Sequence, residues 1–213
     1  MLLKCLLRYI GLGKTSLEFT SNIPDASLVA RAQQGDLDAF NQLAQRYERQ
    51  VYNVSFRMLG DHQLAEDVTQ ETLLKAYRGM AKFRGDNLRA WLLRIASNTC
   101  NDFFRSRRGR HDLSLELLTE EDGVTWASSD PSPEEEALRV ELGLEIQRGL
   151  LRLPLEQCMV LILVDVEGMS YEEAAVATGI SPGTLRSRLS RARAKLRDYL
   201  LQKRELLPSS FRQ

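Results

Sequence analysis

Residues 170–193, SYEEAAVATGISPGTLRSRLSRAR, decide the fold of the last third of the chain. Ser170 with Glu173 forms a capping box that predicts the start of a short helix. Gly179 lies in the turn after that helix. Ser181 then supplies the N-cap of a second helix, and Pro182 follows at its first position. A short helix, a glycine-containing turn and a longer basic helix are typical of a helix-turn-helix. The segment therefore predicts a helical DNA-binding module.

The second helix of this motif has one apolar face and one basic face. The apolar residues, spaced 4, 3 and 4 positions apart and expected to be buried, are Leu185, Leu189, Ala192 and Leu196. Outward arginine and serine can bind bases in the major groove, whereas the flanking Arg188 and Arg193 would bind phosphates. The predicted contacts to duplex DNA are Ser181, Thr184, Arg186, Ser187, Arg188, Ser190, Arg191 and Arg193.

Capping residues and glycines predict helices through the rest of the chain. Asp36 precedes one helix and Gly60 ends it, while Asp61 begins the next helix and Gly85 lies in the loop before a third. Pro154 opens a strongly apolar helix further along. Strand-like alternation of apolar and polar residues is nearly absent. We therefore predict an all-α fold, with helices at about 37–59, 62–79, 88–107, 133 onwards and 155–166.

The helix predicted at 88–107 separates apolar from polar residues on a helical wheel. The inner side, which should pack into the protein, holds Leu92, Ile95, Ala96, Thr99 and Phe103. The outer side holds Arg94, Asn98, Asn101 and Arg105 within roughly a 60° arc, with Trp91 at its edge. Amides can pair with base edges, an indole can stack on bases and guanidinium groups can bind phosphates. The arc is predicted to bind unstacked bases, and burial in the core is the alternative for Trp91.

The net charge of the 213 residues is zero, but the charge is unevenly distributed. By segment, the net charge is +2 over 1–24, +4 over 25–111, -10 over 112–145 and +4 over 146–213. Residues 75–110 have ten positive and two negative side chains, and residues 186–197 have six positive and no negative ones. Such concentrations are typical of phosphate-binding surfaces, although charge runs also occur as solvated helical faces. Two basic modules joined by an acidic tether are predicted.

Composition and short motifs exclude several other classes. Apolar runs long enough to span a bilayer are absent, and three cysteines far apart predict neither disulfides nor a Cys-x-x-Cys metal site, which indicates a reducing, cytoplasmic setting. Gly13-Lys14-Thr15 lacks the earlier glycine of a phosphate-binding loop. His62 and His111 have no partners at metal-ligand spacing. We therefore predict no enzymatic activity, no catalytic residue, no metal and no cofactor.

Three motifs in order resemble a known family. They are AEDVTQET at 65–72 with KAYR at 75–78; FRG at 83–85 with WLLRIASN at 91–98; and LP at 153–154, EGMSYEEAA at 167–175 and GTLRSRLSRAR at 183–193. With these motifs the chain resembles a bacterial RNA polymerase sigma factor of the extracytoplasmic-function (group 4) type, in the sigma-70 family. The similarity extends over about residues 25–201.

The resemblance implies binding to core RNA polymerase, direction of the polymerase to specific promoters, promoter melting and transcription initiation. It places polymerase-binding residues, which would dock on the clamp helices of the largest subunit, at Glu66, Asp67, Gln70 and Glu71. It places contacts to the -10 element at Phe83, Arg84, Trp91, Arg94, Asn98, Asn101 and Arg105. The loop at 83–88 would capture a flipped-out base. The second module would read the -35 element as duplex and bind the flap of the second-largest subunit, and an anti-sigma factor is a further implied partner.

The implied organisation is two small helical domains joined by an acidic flexible linker. In order, it comprises an N-terminal extension at 1–24 that is poorly ordered, region 2 at 25–111, the linker at 112–132, a region 4 helix-turn-helix at 133–203 and a tail at 204–213. The alternative is a stand-alone helix-turn-helix regulator with a helical sensing or dimerisation domain. Such a regulator would bind a palindromic duplex by itself, whereas a sigma factor needs core polymerase.

Overall fold

The computed structural model describes residues 23–85, 87–107 and 133–207, which belong to two compact units. Within these ranges the chain is helical and forms no strand, which confirms the all-α fold class. The predicted linker at 112–132 and nearly all of the predicted extension at 1–24 lie outside the described residues.

The first unit is built around one long central helix. Its described helices are α1 (Asp25–Gln33), α2 (Leu37–Leu59), α3 (His62–Gly79) and α4 (Leu88–Arg107), with a 3₁₀ turn at Met80–Lys82. α2 packs against α1, α3 and α4, and α3 also packs against α4. Buried side chains on α2 include Leu43, Val51, Val54 and Met58. This packing leaves one side of α3 and one side of α4 facing solvent.

The ends of α2 and α3 follow from local capping. The Asp36 carboxylate accepts a hydrogen bond from the Ala39 amide at 3.0 Å, and the Asp61 carboxylate accepts one from the Leu64 amide at 2.8 Å. The hydrogen bond from Ala39, together with that from Arg31, lowers the pKa of Asp36 below its ordinary value. Gly60 ends α2 at a φ of 71°, a left-handed conformation that favours glycine. The predicted boundaries of both helices are confirmed.

A partly buried polar cluster fixes α1 to α2. The Asp25 carboxylate accepts a hydrogen bond from Arg46 Nη1 at 2.6 Å and another from the Tyr47 hydroxyl. Arg46 is almost fully buried, so its charge is neutralised by this pairing rather than by water. Burial, and then the hydrogen bond to Asp25, raise the pKa of Tyr47 well above its ordinary value. Tyr47 is therefore a neutral donor at physiological pH.

The second unit is built around the last long helix. Its described elements are α5 (Pro133–Leu151), α6 (Leu155–Leu161), a π turn (Ile162–Val166), α7 (Tyr171–Thr178), α8 (Pro182–Leu200) and a 3₁₀ segment (Leu201–Leu206). α8 packs against α5, α6 and α7. The predicted apolar stripe is confirmed, because Leu185, Leu189, Ala192 and Leu196 are all buried. The opposite side of α8 consequently faces solvent.

The helix-turn-helix is formed by α7 and α8, with the predicted caps in place. The Ser170 hydroxyl accepts from the Glu173 amide while the Glu173 carboxylate accepts from the Ser170 amide, so the capping box is confirmed. Gly179 forms the turn at a φ of 68°, and the Ser181 hydroxyl caps α8. The spacing of Ser, Gly and Ser-Pro in the sequence was therefore sufficient to predict this motif.

The second unit has two details that the sequence-based expectation did not include. The predicted regular helix at 155–166 ends in a π turn, with the Glu167 amide donating to the Ile162 carbonyl at 2.9 Å. In the predicted tail from 204 onwards, the 3₁₀ segment continues to Leu206 and Leu207 is 1% exposed. Burial of Leu207 fixes the described end of the chain to the unit.

Candidate functional site

The outer face of α4 presents the predicted polar arc to solvent. Arg94, Asn98 and Arg105 are exposed, and Trp91 and Asn101 are half-buried. Their spacing of 3, 4, 3 and 4 residues keeps all five on one side of the helix. Two cations, two amides and an indole therefore lie along one accessible surface of the first unit.

The buried face of α4 is wider than predicted and is rotated about the helix axis relative to the predicted face. Leu92, Ala96 and Thr99 are buried as expected, but Ile95 and Phe103 are only half-buried. The missing part of the buried face is supplied by Leu93, Ser97 and Cys100. The physical reason is that α4 packs against α2 and α3 together, so a wide arc is covered. Burial raises the pKa of the Cys100 thiol to about 12.

Trp91 is held between an aromatic ring and a glycine. The Phe83 and Trp91 ring centroids lie 4.9 Å apart with an interplanar angle of 46°. A Cβ atom at Gly79 would lie 3.2 Å from Trp91 Cζ2, so a side chain at position 79 would press on the indole. Phe83, a predicted DNA contact, is only 7% exposed and packs against the Trp91 ring. Arg84, next in the loop, is exposed as predicted.

A cavity of about 330 Å³ lies beside this loop, between α1, α2 and the start of α4. Its wall includes Asp25, Gln33, Tyr47, Phe83 and Arg89. The Gln33 amide donates to the Phe83 carbonyl at 2.8 Å, which ties the loop to α1. Hydrogen-bond donors and acceptors and an aromatic ring thus surround a space beside the loop at 83–88. This loop is the one predicted to capture a flipped-out base.

The outward face of α3 combines acidic, amide and apolar side chains. Glu66, Asp67 and Gln70 are exposed, and Glu71 is half-exposed with its carboxylate 3.7 Å from Lys75 Nζ. On the same side, Leu74 is 49% and Tyr77 is 44% exposed. The Tyr77 ring meets the Phe40 ring edge-on at 5.1 Å, so Tyr77 is fixed against α2. We call residues 66, 67, 70, 71, 74 and 77 the α3 face.

Six of the eight predicted duplex contacts are exposed on the outward face of α8. They are Ser181, Thr184, Arg186, Ser187, Ser190 and Arg191. The Ser181 hydroxyl is engaged in capping, and the Ser187 hydroxyl donates to the Thr184 carbonyl at 2.9 Å. Arg186 and Arg191 form no ion pair with another described residue, so their guanidinium groups extend from the helix.

Sites of other kinds were also sought in the described ranges. Among those residues, no group of three or more His, Cys, Asp or Glu side chains could hold a metal ion. In the same part of the chain, no helix is both long enough and apolar enough to cross a membrane.

Two family models match the chain: "Sigma-70 region 2" at residues 43–110 and "Sigma-70, region 4" at residues 143–196. The chain is also 36% identical to the RNA polymerase sigma-H factor of Pseudomonas aeruginosa over 183 residues, which cover 84% of this chain and 94% of that factor. The chain belongs to the extracytoplasmic-function group of the sigma-70 family. The predicted resemblance is thereby confirmed.

Other relatives of this sigma factor support the assignment. It is 35% identical to the ECF RNA polymerase sigma-E factor of Haemophilus influenzae, with 84% of this chain and 96% of that factor covered. It is 37% identical to the ECF sigma factor SigE of Mycolicibacterium smegmatis over 171 residues, 80% of this chain but 65% of that longer protein. The present chain thus spans about two thirds of the length of SigE.

Solved structures resemble this sigma factor as well. CnrH, in complex with the cytosolic domain of CnrY, has a TM-score of 0.61 and 29% identity, with 83% of this chain and 96% of that chain covered. The sigma factor RpoE of Bartonella quintana, in complex with the anti-sigma factor NepR, has a TM-score of 0.62 and 28% identity, with 77% and 98% covered.

The remaining two predicted duplex contacts of this sigma factor have partners within its second unit. The Arg188 guanidinium lies 2.6 Å from the exposed Glu156 carboxylate. Arg193 donates from Nε at 2.7 Å and from Nη2 at 2.6 Å to the two carboxylate oxygens of Asp165. Arg193 therefore has a partner within the unit, and its predicted phosphate contact stays a prediction. The sequence contained no local signal for this pair, because its members are 28 positions apart.

Sequence reasoning also missed residues that the structure adds to the candidate surfaces. Leu74 and Tyr77 belong to the α3 face, and a signal existed, because Leu74 lies seven residues after Asp67 and therefore on the same side of the helix. Asp25 and Tyr47 belong to the cavity wall, and no local pattern predicts them because they meet only through the packing of α1 on α2.

Proposed function

We propose that this sigma factor gives RNA polymerase its promoter specificity through three surfaces. The α3 face would bind core polymerase, the α4 arc with the adjacent cavity would capture the single-stranded -10 element, and α8 would read the -35 duplex. The observation that supports this most strongly is the α4 arc beside a cavity, because a protein that reads only duplex DNA has no use for a surface suited to unstacked bases.

The α3 face is suited to a partner that has both basic and apolar groups. Asp67, Gln70 and Glu71 can pair with cations and amides, while Leu74 and Tyr77 supply apolar area further along the same face. Specific protein interfaces combine apolar area of this kind with polar contacts. We propose that it docks on the clamp helices of the largest polymerase subunit.

The α4 arc and the cavity would act together during promoter melting. A flipped-out base costs a few kcal/mol of stacking and pairing, so the receiving site must be arranged in advance. Trp91 meets this need because Phe83 and Gly79 fix its indole, leaving it half-buried at the edge of the arc. Asn98 and Asn101 can hydrogen bond base edges, and the cavity offers a place for the flipped base beside Arg89.

The α8 surface would enter the major groove of the -35 element. Arg186 and Arg191 extend from the helix and can bind guanine bidentately, with Ser190 able to bond neighbouring bases. The helix N-terminus near Ser181 and Thr184 is suited to a phosphate, because the positive end of the helix dipole points there. We propose that Arg188 contributes to DNA binding only by giving up its exposed, weak pair with Glu156.

Further partners follow from the family. The second unit would bind the flap of the second-largest polymerase subunit, and an anti-sigma factor would hold the protein inactive, as the complex of Bartonella quintana RpoE with NepR suggests by analogy. In this proposal the sigma factor contributes binding and strand separation in the cytoplasm, while phosphodiester bond formation belongs to the polymerase. A stand-alone regulator is not favoured, since it would leave the α3 face and the α4 arc without a role.

The substitution Asn98→Ala tests base capture. It should slow promoter opening about 3- to 10-fold, the effect of one lost hydrogen bond, on duplex promoters. Pre-melted templates should largely restore the rate, since the flipping step is already complete. Permanganate reactivity of unpaired thymines measures opening, and run-off transcription measures the product.

The matched control for this test is Asn41→Ala, which removes an exposed amide from α2. It should behave like wild type on both templates. An equal loss for Asn98→Ala on duplex and pre-melted templates would argue that Asn98 has no part in base capture.

A further inference from the structure

A bidentate ion pair joins α8, the second helix of the helix-turn-helix, to the π turn at Ile162–Val166. The Asp165 side chain is fully buried, and each of its carboxylate oxygens accepts one hydrogen bond from Arg193, at 2.6 and 2.7 Å. The paired fork geometry fixes the orientation of the guanidinium as well as its distance. Arg193 therefore links α8 to the π turn that follows α6.

The π turn determines where Asp165 lies. The turn at Ile162–Val166 adds one residue to the helical repeat, as the hydrogen bond from the Glu167 amide to the Ile162 carbonyl shows. Such a turn changes the direction of the side chains within it, and here it brings a carboxylate into the interior opposite α8.

The same guanidinium also meets the first helix of the motif. The hydrogen bond to Asp165 raises the pKa of Arg193 above its ordinary value, and Tyr171, at the start of α7, acts in the same direction. Arg193 on α8 therefore pairs directly with Asp165 in the π turn, and Tyr171 on α7 favours the same charged side chain.

A phosphate could recruit Arg193 only by breaking both of its hydrogen bonds to the buried Asp165 carboxylate. That exchange is unfavourable, because a buried carboxylate that loses a charged partner recovers less of its desolvation cost. The exposed pair of Arg188 with Glu156 has no such restraint, since Glu156 stays in water. Two arginines on the flanks of α8 therefore have different roles available to them.

We propose that Asp165 and Arg193, together with Tyr171, are positioning residues for -35 recognition. They fix the orientation of α8 against α6 and α7 so that Arg186 and Arg191 reach base edges at the correct depth. This inference rests on the proposed reading of the -35 duplex by α8. It differs from a phosphate contact because specificity, rather than general affinity for DNA, depends on the pair.

The test uses holoenzyme assembled from core polymerase and the full chain. A -35 sequence is first selected from a randomised promoter library with the wild-type protein, and affinity is then measured for selected and scrambled -35 duplex promoters over a range of salt concentrations. Asp165→Asn and Arg193→Lys should each lower the preference for the selected sequence about tenfold, the value of one bidentate base contact. Their salt dependence should match wild type, since no phosphate contact is lost.

Two additional variants keep the test decisive. Tyr171→Phe removes only a hydroxyl from a half-buried ring, so it should fold and show a smaller loss of preference in the same direction. The control Glu156→Gln breaks the exposed pair and should leave the preference unchanged. Circular dichroism and thermal unfolding establish that each variant is folded at the assay temperature.

Three results would contradict the inference, each in a different way. If the folded variants lose thermal stability but keep the wild-type preference, the pair is merely stabilising. If Arg193→Ala lowers the salt slope by about one and Asp165→Asn does not affect binding, Arg193 is a phosphate contact. If the wild-type holoenzyme selects no -35 sequence, the proposed duplex reading fails and the positioning role fails with it.

Discussion

Replacing Leu74 with alanine should weaken binding to core polymerase without affecting the fold. Complete burial of a leucine side chain is worth about 1.5 to 3 kcal/mol. Leu74 is 49% exposed, so roughly half of this value, about 0.7 to 1.5 kcal/mol, is still available on docking. The expected rise in Kd is therefore about 3- to 12-fold.

A titration of fluorescently labelled protein with core RNA polymerase, followed by anisotropy, measures this change. Leu138→Ala is the matched control, because Leu138 is 42% exposed but lies on α5 in the other unit. Thermal unfolding should be nearly unchanged for both variants, since exposed substitutions rarely alter stability by more than about 0.5 kcal/mol. An unchanged Kd for Leu74→Ala would refute the α3 face as the docking surface.

Two further predictions concern the second unit. Gly149→Ala should destabilise it by about 1 kcal/mol in urea unfolding: the added Cβ would lie 2.5 Å from buried Leu196, and this strain exceeds the gain in helix propensity. The control is Gly183→Ala, where an added Cβ would meet no atom closer than 3.9 Å, so the stability should be unchanged or higher. Equal stability changes for the two variants would contradict the close packing at Gly149. Burial opposes ionisation of Glu145, but hydrogen bonds from Tyr199 and Arg148 outweigh it and lower its pKa below the ordinary 4.5. The resulting stability is present above pH 4.5 and is lost as the pH falls further, so Glu145→Gln should reduce the acid sensitivity of unfolding; parallel pH curves for both proteins would contradict this.

The features that the sequence predicted correctly are those set by neighbouring residues. Asp36, Asp61 and Ser170 each cap a helix through a partner three positions away, so the boundaries follow from local chemistry. The buried stripe of α8 follows from helical periodicity alone. The outer arc of α4 was predicted for the same reason.

The features that the sequence did not predict depend on contacts between distant segments. The side chains of Asp25 and Arg46 meet across 21 positions, and those of Asp165 and Arg193 across 28. Phe83 illustrates the limit for a single residue, since an aromatic beside a basic loop is equally compatible with stacking on a base and with supporting Trp91. Only tertiary packing decides between these roles.

The most direct test of the central claim is transcription from a pool of promoter fragments by core polymerase, with and without this protein. The account predicts that core alone starts at no defined site, and that the added protein produces transcripts downstream of a shared pair of -35 and -10 motifs. Failure to start transcription on any fragment, combined with specific binding of the protein alone to a palindromic duplex, would contradict the account.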